Sequence, residues 1–365
     1  MPKLLQDLWS SQVANRPDGI AVCWKDETIP YGELDRVANQ LAHTLRVHGC
    51  QFGDRVAVLI PNSANSLLAM LGILKAGCVA VPIDVTAPAA QVAELLNDCR
   101  PAMILAARFA RSLLDELFCN DYLPFRVGTL EALPIEGEYF ATEFTGLSIL
   151  SDSPEASACG ATTHAPALLF CRSGDLACGV NDPASQPVFK ALVSAPHRPT
   201  VVSHAEVLAF LTNRQRFRLT AFDRVAGLPL HSPLAVAEAF ASLAAGAELH
   251  IVPPDLLGQP RQLTRFIRAH EITEWLTNYG SLSEVIPSSE ISDGDLPSLK
   301  HLLWSGRALS ASALHRLTQQ LPLTQFARIV AGTDAKFGGQ FAVVTSLPEF
   351  EPFPVAAPRP ALLPV

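Results

Sequence analysis

From Tyr31 to Leu105 two hydrophobic periods alternate along the chain, and this alternation limits the fold more than any other feature of its 365 residues. Residues 55–60 (RVAVLI), 79–83 and 102–105 are short runs, apolar after the first residue, as strands covered on both faces must be. Between them, residues 63–76 and 88–99 read as helices. The clearest helix is 31–48, where Leu34, Val37, Ala38, Leu41, Ala42 and Leu45 repeat at the spacing of one buried face and Gly49 supplies the stop. Strand, helix, strand, helix, strand is the order of a doubly wound parallel sheet.

The remaining chain is read more coarsely. Residues 4–15 are expected to form a short amphipathic helix, with small strands at 21–24 and 27–30. The pattern weakens from 109 to 167, and Ser, Thr, Gly and Pro gather over 151–166 as in a surface crossing. Helices are expected at 205–217 and 261–270, and strands at 248–252 and 274–278. Hydrophobic residues make up 49% of the chain, enough to bury a large core in two subdomains, expected at 1–167 and 168–345. Residues 346–365 read as a proline-rich extended tail.

Charge and cysteine content exclude several partners. A net charge of −8 without a Lys/Arg cluster argues against a nucleic-acid backbone. No apolar run reaches membrane-spanning length, about 20 residues, and no apolar segment follows Lys3 as in a signal peptide. Eight cysteines without a C-x-x-C pair read as free thiols of a reducing compartment, not as a disulfide frame or zinc site. The expectation is a cytoplasmic, soluble chain with no assigned metal ligands.

One stretch carries the functional signal. Leu168-Leu169-Phe170-Cys171-Arg172-Ser173-Gly174-Asp175 starts as a buried strand and breaks into a glycine-bearing loop, a form that can wrap an anion with backbone N–H groups. With its flanks it resembles the phosphate loop of the adenylate-forming (AMP-binding) enzymes, the acyl-CoA ligases, amino-acid adenylation domains and luciferases. Elsewhere Pro30-Tyr31-Gly32-Glu33-Leu34, Ala38-Asn39-Gln40-Leu41-Ala42 and Leu74-Lys75-Ala76-Gly77 through Val81-Pro82-Ile83-Asp84 are similar to that family's Y-x-E-L, N-x-L-A and L-K-A-G-x-x-x-V-P-L-D motifs. The matches cover nearly the whole chain but only the family's large N-terminal part. They imply an α/β fold of two doubly wound, mostly parallel sheets flanked by helices, with a small β subdomain as an optional addition. The family's small C-terminal domain, with its adenylation lysine, is expected to be absent.

At the site the resemblance breaks down residue by residue. Ser173 and Gly174 match the nucleotide loop, but Asp175, Leu176 and Ala177 stand where two hydroxyls and a glycine are expected. Thr200, ahead of Ser203-His204, stands at the lysine. Residues 181–197 read as an insertion between these motifs. Leu228-Pro229-Leu230-His231-Ser232 resembles P-L-F-H, which makes His231 and Ser232 acyl-pocket candidates; a packed histidine with a satisfied hydrogen bond is the alternative. Pro233 falls near the place of the aspartate that pairs a substrate ammonium, which disfavours an α-amino acid. Gly306, flanked by Ser305 and Arg307, corresponds to the adenine-side loop. Gly332, Thr333 and Asp334 correspond to N-x-Y-G-x-T-E, with Ala331 unable to stack on adenine. Asp334 is either a magnesium ligand with shortened reach or part of an ordinary turn.

Catalysis of adenylation rests on positioned donors, magnesium and a lysine at a charge-rich phosphate. A carboxylate about 5 Å from those phosphates, at an effective dielectric near 20, costs on the order of 3 kcal/mol. The resemblance therefore implies a degenerate, non-catalytic relative with no catalytic residue. It would act as a binding or scaffolding partner of a carrier protein or an active ligase in secondary-metabolite or acyl-activation pathways. The alternative is a working ligase that uses ATP and Mg²⁺, with the small domain supplied in trans. A truncated product without a role is the third reading.

Overall fold

The computed structural model describes residues 4–119, 126–155, 160–170, 200–214, 217–227, 229–256, 259–285, 296–306, 308–330 and 340–343. Its strands are β1 (Ile20–Trp24), β2 (Glu27–Pro30), β3 (Arg55–Leu59), β4 (Val79–Pro82), β5 (Met103–Ala106), β6 (Val127–Gly128), β7 (Pro166–Phe170), β8 (Thr200–Ser203), β9 (Arg224–Ala226), β10 (Glu248–His250), β11 (Glu274–Asn278), β12 (His301–Ser305), β13 (Gln325–Val330) and β14 (Gln340–Val343). They form two sheets, in the orders β6-β5-β3-β4-β7-β8 and β14-β13-β12-β11-β9-β10-β1-β2. All neighbours pair in parallel except β7–β8, β13–β14 and β1–β2, which lie at sheet edges. The expected α/β class of two mostly parallel sheets is what the chain adopts.

Strand alternation sorts side chains into layers. Val56 and Val58 of β3 face a central core shared with Val225, Leu249, Leu276 and Leu303 of the other sheet. Ala57 and Leu59 face the opposite way, onto Val92, Leu96 and Leu114 of the helices Ala89–Cys99 and Arg111–Cys119. On the second sheet Trp275, Leu302 and Trp304 pack outward against Leu263 and Leu317 of Pro260–Ala269 and Ala311–Gln320. Helices Tyr31–Val47, Ala64–Lys75 and Pro233–Ala245 contribute to the core between the sheets. Ala64–Lys75 is buried nearly all round, as a helix without a solvent face must be.

The motifs matched in sequence prove to be packing devices. A Cβ at Gly72 would lie 2.6 Å from Leu41 Cδ2, so glycine permits the close approach of Ala64–Lys75 to Tyr31–Val47. Lys75 Nζ reaches Asp35 Oδ1 at 2.8 Å and donates to Asn39 Oδ1 at 2.7 Å, while Trp9 Nε1 donates to Asp35 Oδ1 at 2.8 Å. Ser203 caps the helix His204–Asn213, accepting from Glu206 N, and Glu206 Oε2 accepts from Ser203 N at 2.7 Å. His204 is buried, its Nδ1 accepting from Leu5 N at 3.2 Å.

Several expectations are corrected. Residues 4–15 split into a 3-10 turn, Leu5–Asp7, and a short helix, Ser10–Asn15. The helix expected at 205–217 is His204–Asn213, because Arg214 turns inward to a buried ion cluster. A helix, Arg111–Cys119, and β6 lie in the region whose pattern was weak. The two sheets are interleaved along the chain. β7 and β8 complete the sheet of β3–β6, and β1–β2 join the other, where parallel pairing to β10 satisfies the β1 backbone and buries Ala21 and Val22. Among the described residues there is no third sheet, and no helix is long and apolar enough to cross a membrane.

Candidate functional site at the carboxyl ends of the strands

In parallel α/β sheets ligands bind beyond the carboxyl ends of the strands, at the point where successive crossovers diverge. Here β3 leads one way to β4, and β4 leads back to β5 on the far side of β3, so the reversal falls at β3. Ile60 follows β3, and Ile83 and Asp84 follow β4. The turn after β9 brings Leu230 and His231 across from the second sheet, and His231 Nε2 stands 3.9 Å from Asp84 Oδ2. Asn62 ties the two edges together: its Nδ2 donates to Val252 O at 2.9 Å and its Oδ1 accepts from Leu230 N at 3.1 Å. Asp84 Oδ1 is held by Thr86, accepting from its N–H at 2.9 Å and its hydroxyl at 2.7 Å.

These residues surround a cavity of about 10 Å³, lined by Val58, Ile60, Asn62, Met70, Ile83 and His231, among others. Such a space holds about one water molecule. His231 is 33% exposed. Burial pushes its pKa below the ordinary 6.5, with Asp84 pulling the other way, so the ring is neutral at pH 7. Its lone pair and N–H can accept or donate one hydrogen bond to a small polar group. Ser232 is the N-cap of Pro233–Ala245 but makes no side-chain capping bond, and Pro233 sits at the start of the helix, where its fixed φ suits the first turn. The proline at the place of the expected aspartate thus has a structural explanation.

Gly306 follows β12 on the same edge of the second sheet, with β11 between β12 and β9. Its φ of +96° keeps the glycine requirement of that turn, although Ser305 replaces the preceding glycine of the related loop. Ser173, Gly174 and Asp175 follow β7, and Gly332, Thr333 and Asp334 follow β13; both sets lie outside the described residues. The structure therefore brings His231 to Asp84 and Asn62 and sets Gly306 on the same edge. Asn62 was missed in sequence, where Pro61-Asn62-Ser63 reads only as the lead-in to a helix. Asp84 ends the Val81-Pro82-Ile83-Asp84 motif, which was its signal.

Near the opposite, amino-terminal edge lies a buried ion cluster that sequence reasoning also missed. The Arg214 guanidinium pairs with Glu238 of Pro233–Ala245 and with Glu274 at the start of β11. His301 Nδ1, at the start of β12, lies 3.0 Å from Glu274 Oε2, and the ring meets Phe217 edge-on at 5.1 Å. Glu238 Oε1 is buried with no hydrogen-bond partner. Desolvation pushes the Glu238 carboxyl up to about 8 against the pull of Arg214, and Glu274 adds to the rise. Desolvation, with Arg214 next, holds His301 below its usual value.

Comparisons with known proteins agree with this architecture. A family model described as AMP-binding enzyme matches residues 9–138 and 199–332. The chain is 28% identical to gramicidin S synthase 2 of Aneurinibacillus migulanus over 323 residues, 87% of this chain and 6% of that protein. It is 26% identical to the L-proline--[L-prolyl-carrier protein] ligase of Streptomyces coelicolor over 86% of this chain and 55% of the ligase. The crystal structure of the nonribosomal peptide synthetase FmoA3 superposes with a TM-score of 0.76 at 24% identity, over 95% of this chain and 33% of that one. The chain thus spans only a small part of the synthetases it matches.

Proposed function

Because the chain belongs to the AMP-binding enzyme family, we propose that it is a degenerate, non-catalytic member that binds or scaffolds a carrier protein or an active ligase. One sequence observation carries this reading: Asp175, Leu176 and Ala177 align where the family's phosphate loop has two hydroxyls and a glycine, and Thr200 where it has a lysine. These residues do not fit a magnesium triphosphate. The carboxylate repels it by on the order of 3 kcal/mol, and the apolar side chains offer no hydrogen bond in return. The packing motifs, by contrast, are kept, with Gly72 between two helices, Lys75 on Asp35 and Ser203 as a cap. A preserved core beside an altered site is what a binding role needs and an adenylation reaction does not tolerate.

Titration calorimetry with ATP–Mg²⁺ tests this. No heat at millimolar nucleotide is expected, and micromolar binding overturns the proposal. The retained Ser173-Gly174 and the positive-φ turn at Gly306 favour a second reading, an active carboxylate–AMP ligase completed by a domain on another chain. Pyrophosphate exchange across aryl and fatty acids, with an added C-terminal domain, would detect it; silence across that panel leaves the first reading standing.

A further inference from the structure

Parallel pairing sets Cys23 of β1 directly beside His250 of β10, and Glu248 lies two residues earlier on the same strand and face. A ligating nitrogen of His250, Cys23 Sγ and a Glu248 carboxylate oxygen lie within 4.8 Å of one another. His250 is 5% exposed, and its Nδ1 is buried without a hydrogen-bond partner. Its Nε2 lies 3.3 Å from Glu248 Oε2. A buried ring nitrogen left unpaired costs roughly 1–3 kcal/mol, so His250 lacks the full set of protein partners that a settled core histidine has.

We propose that Cys23, Glu248 and His250 bind a divalent cation of borderline softness, zinc above all. Thiolate, imidazole and carboxylate together form a zinc donor set, since harder cations avoid sulfur. Ligand atoms around tetrahedral zinc stand roughly 3.3–3.8 Å apart, so side-chain rotation closes the cluster without moving the strands. The fourth position is open to water or to His270, whose ring centroid is 5.1 Å from that of His250. Arg224 Nε lies 3.3 Å from Glu248 Oε2, but the same guanidinium also pairs with Glu271 at 2.5 Å and keeps that partner when the metal takes Glu248.

As the metal–sulfur bond forms, the Cys23 thiol releases its proton to solvent, so metal affinity rises with pH. The site also crosses a seam of the fold, because it links the N-terminal hairpin to a strand more than two hundred residues later.

Cobalt(II) titration of the metal-stripped full chain tests the assignment. One equivalent with a thiolate-to-cobalt charge-transfer band is expected, displaced by zinc, with affinity at least tenfold weaker in Cys23→Ser and His250→Gln. No such band, or uptake that both substitutions leave unchanged, overturns it. A second measurement needs no variant: zinc should slow iodoacetamide labelling of Cys23 at alkaline pH but not that of the exposed Cys119, as mapped by mass spectrometry. Equal labelling of Cys23 with and without zinc refutes the site.

Discussion

Replacing Glu238 by glutamine should remove one pH-dependent loss of stability in a defined window. Glu238 is buried in the cluster with Arg214, Glu274 and His301, and desolvation raises its pKa from 4.5 to about 8. A raised folded-state pKa means that the native chain holds this proton more tightly than the unfolded one. Its contribution is therefore fully present below pH 4.5 and is lost as pH rises through 8. Below pH 6.5 the effect is masked. His204 and His250, held near 4, and His231, His270 and His301, also lowered by burial, each lose stability as pH falls. Cys23 and Cys50, both raised to about 11, act only above pH 9. Between pH 6.5 and 8 those histidines still gain stability as the unfolded chain loses their protons, so the Glu238 loss, on the order of 1–2 kcal/mol, is read as the difference between parent and variant.

Glutamine keeps the shape of the protonated acid and can donate to Glu274 while accepting from Arg214. Glu238→Gln should thus lie within about 1 kcal/mol of the parent at pH 6.5 and gain on it by that difference up to pH 8. Urea unfolding midpoints at several pH values, read at constant slope, measure both curves. If the parent falls no more than the variant across that window, Glu238 is ionised in the native cluster and the reasoning fails.

Three further substitutions probe the packing. Gly72→Ala places a Cβ against Leu41 and should cost about 1–3 kcal/mol, seen as a lower urea midpoint; a neutral result would mean that the two helices separate freely. Tyr31→Phe removes the hydroxyl that donates to Ala247 O at 2.9 Å and leaves that carbonyl short of a donor, for a loss of about 1–3 kcal/mol by thermal unfolding. Asn62→Ala cuts both hydrogen bonds between the sheet edges. It should cost about 1–3 kcal/mol and speed proteolysis in the 229–232 turn, and unchanged cleavage there would show that Asn62 is not the clamp.

The sequence by itself determined the elements and the family. Continuous apolar runs at 55–60 and 79–83 admit few structures other than buried parallel strands, and the helix over 31–48 is visible because its period is unbroken over four turns. Gly72, Lys75 and Ser203-His204 were legible as motifs, but not as a close helix approach, a half-buried ion pair and a helix cap. Tertiary structure alone decided which strands share a sheet, because pairing depends on burial at sequence separations no local pattern encodes. It placed residues 20–24 beside 248–250, and with them Cys23 beside His250. It likewise gathered Arg214, Glu238, Glu274 and His301, residues unremarkable in their own segments, whose charge matters only once water has been removed from around them.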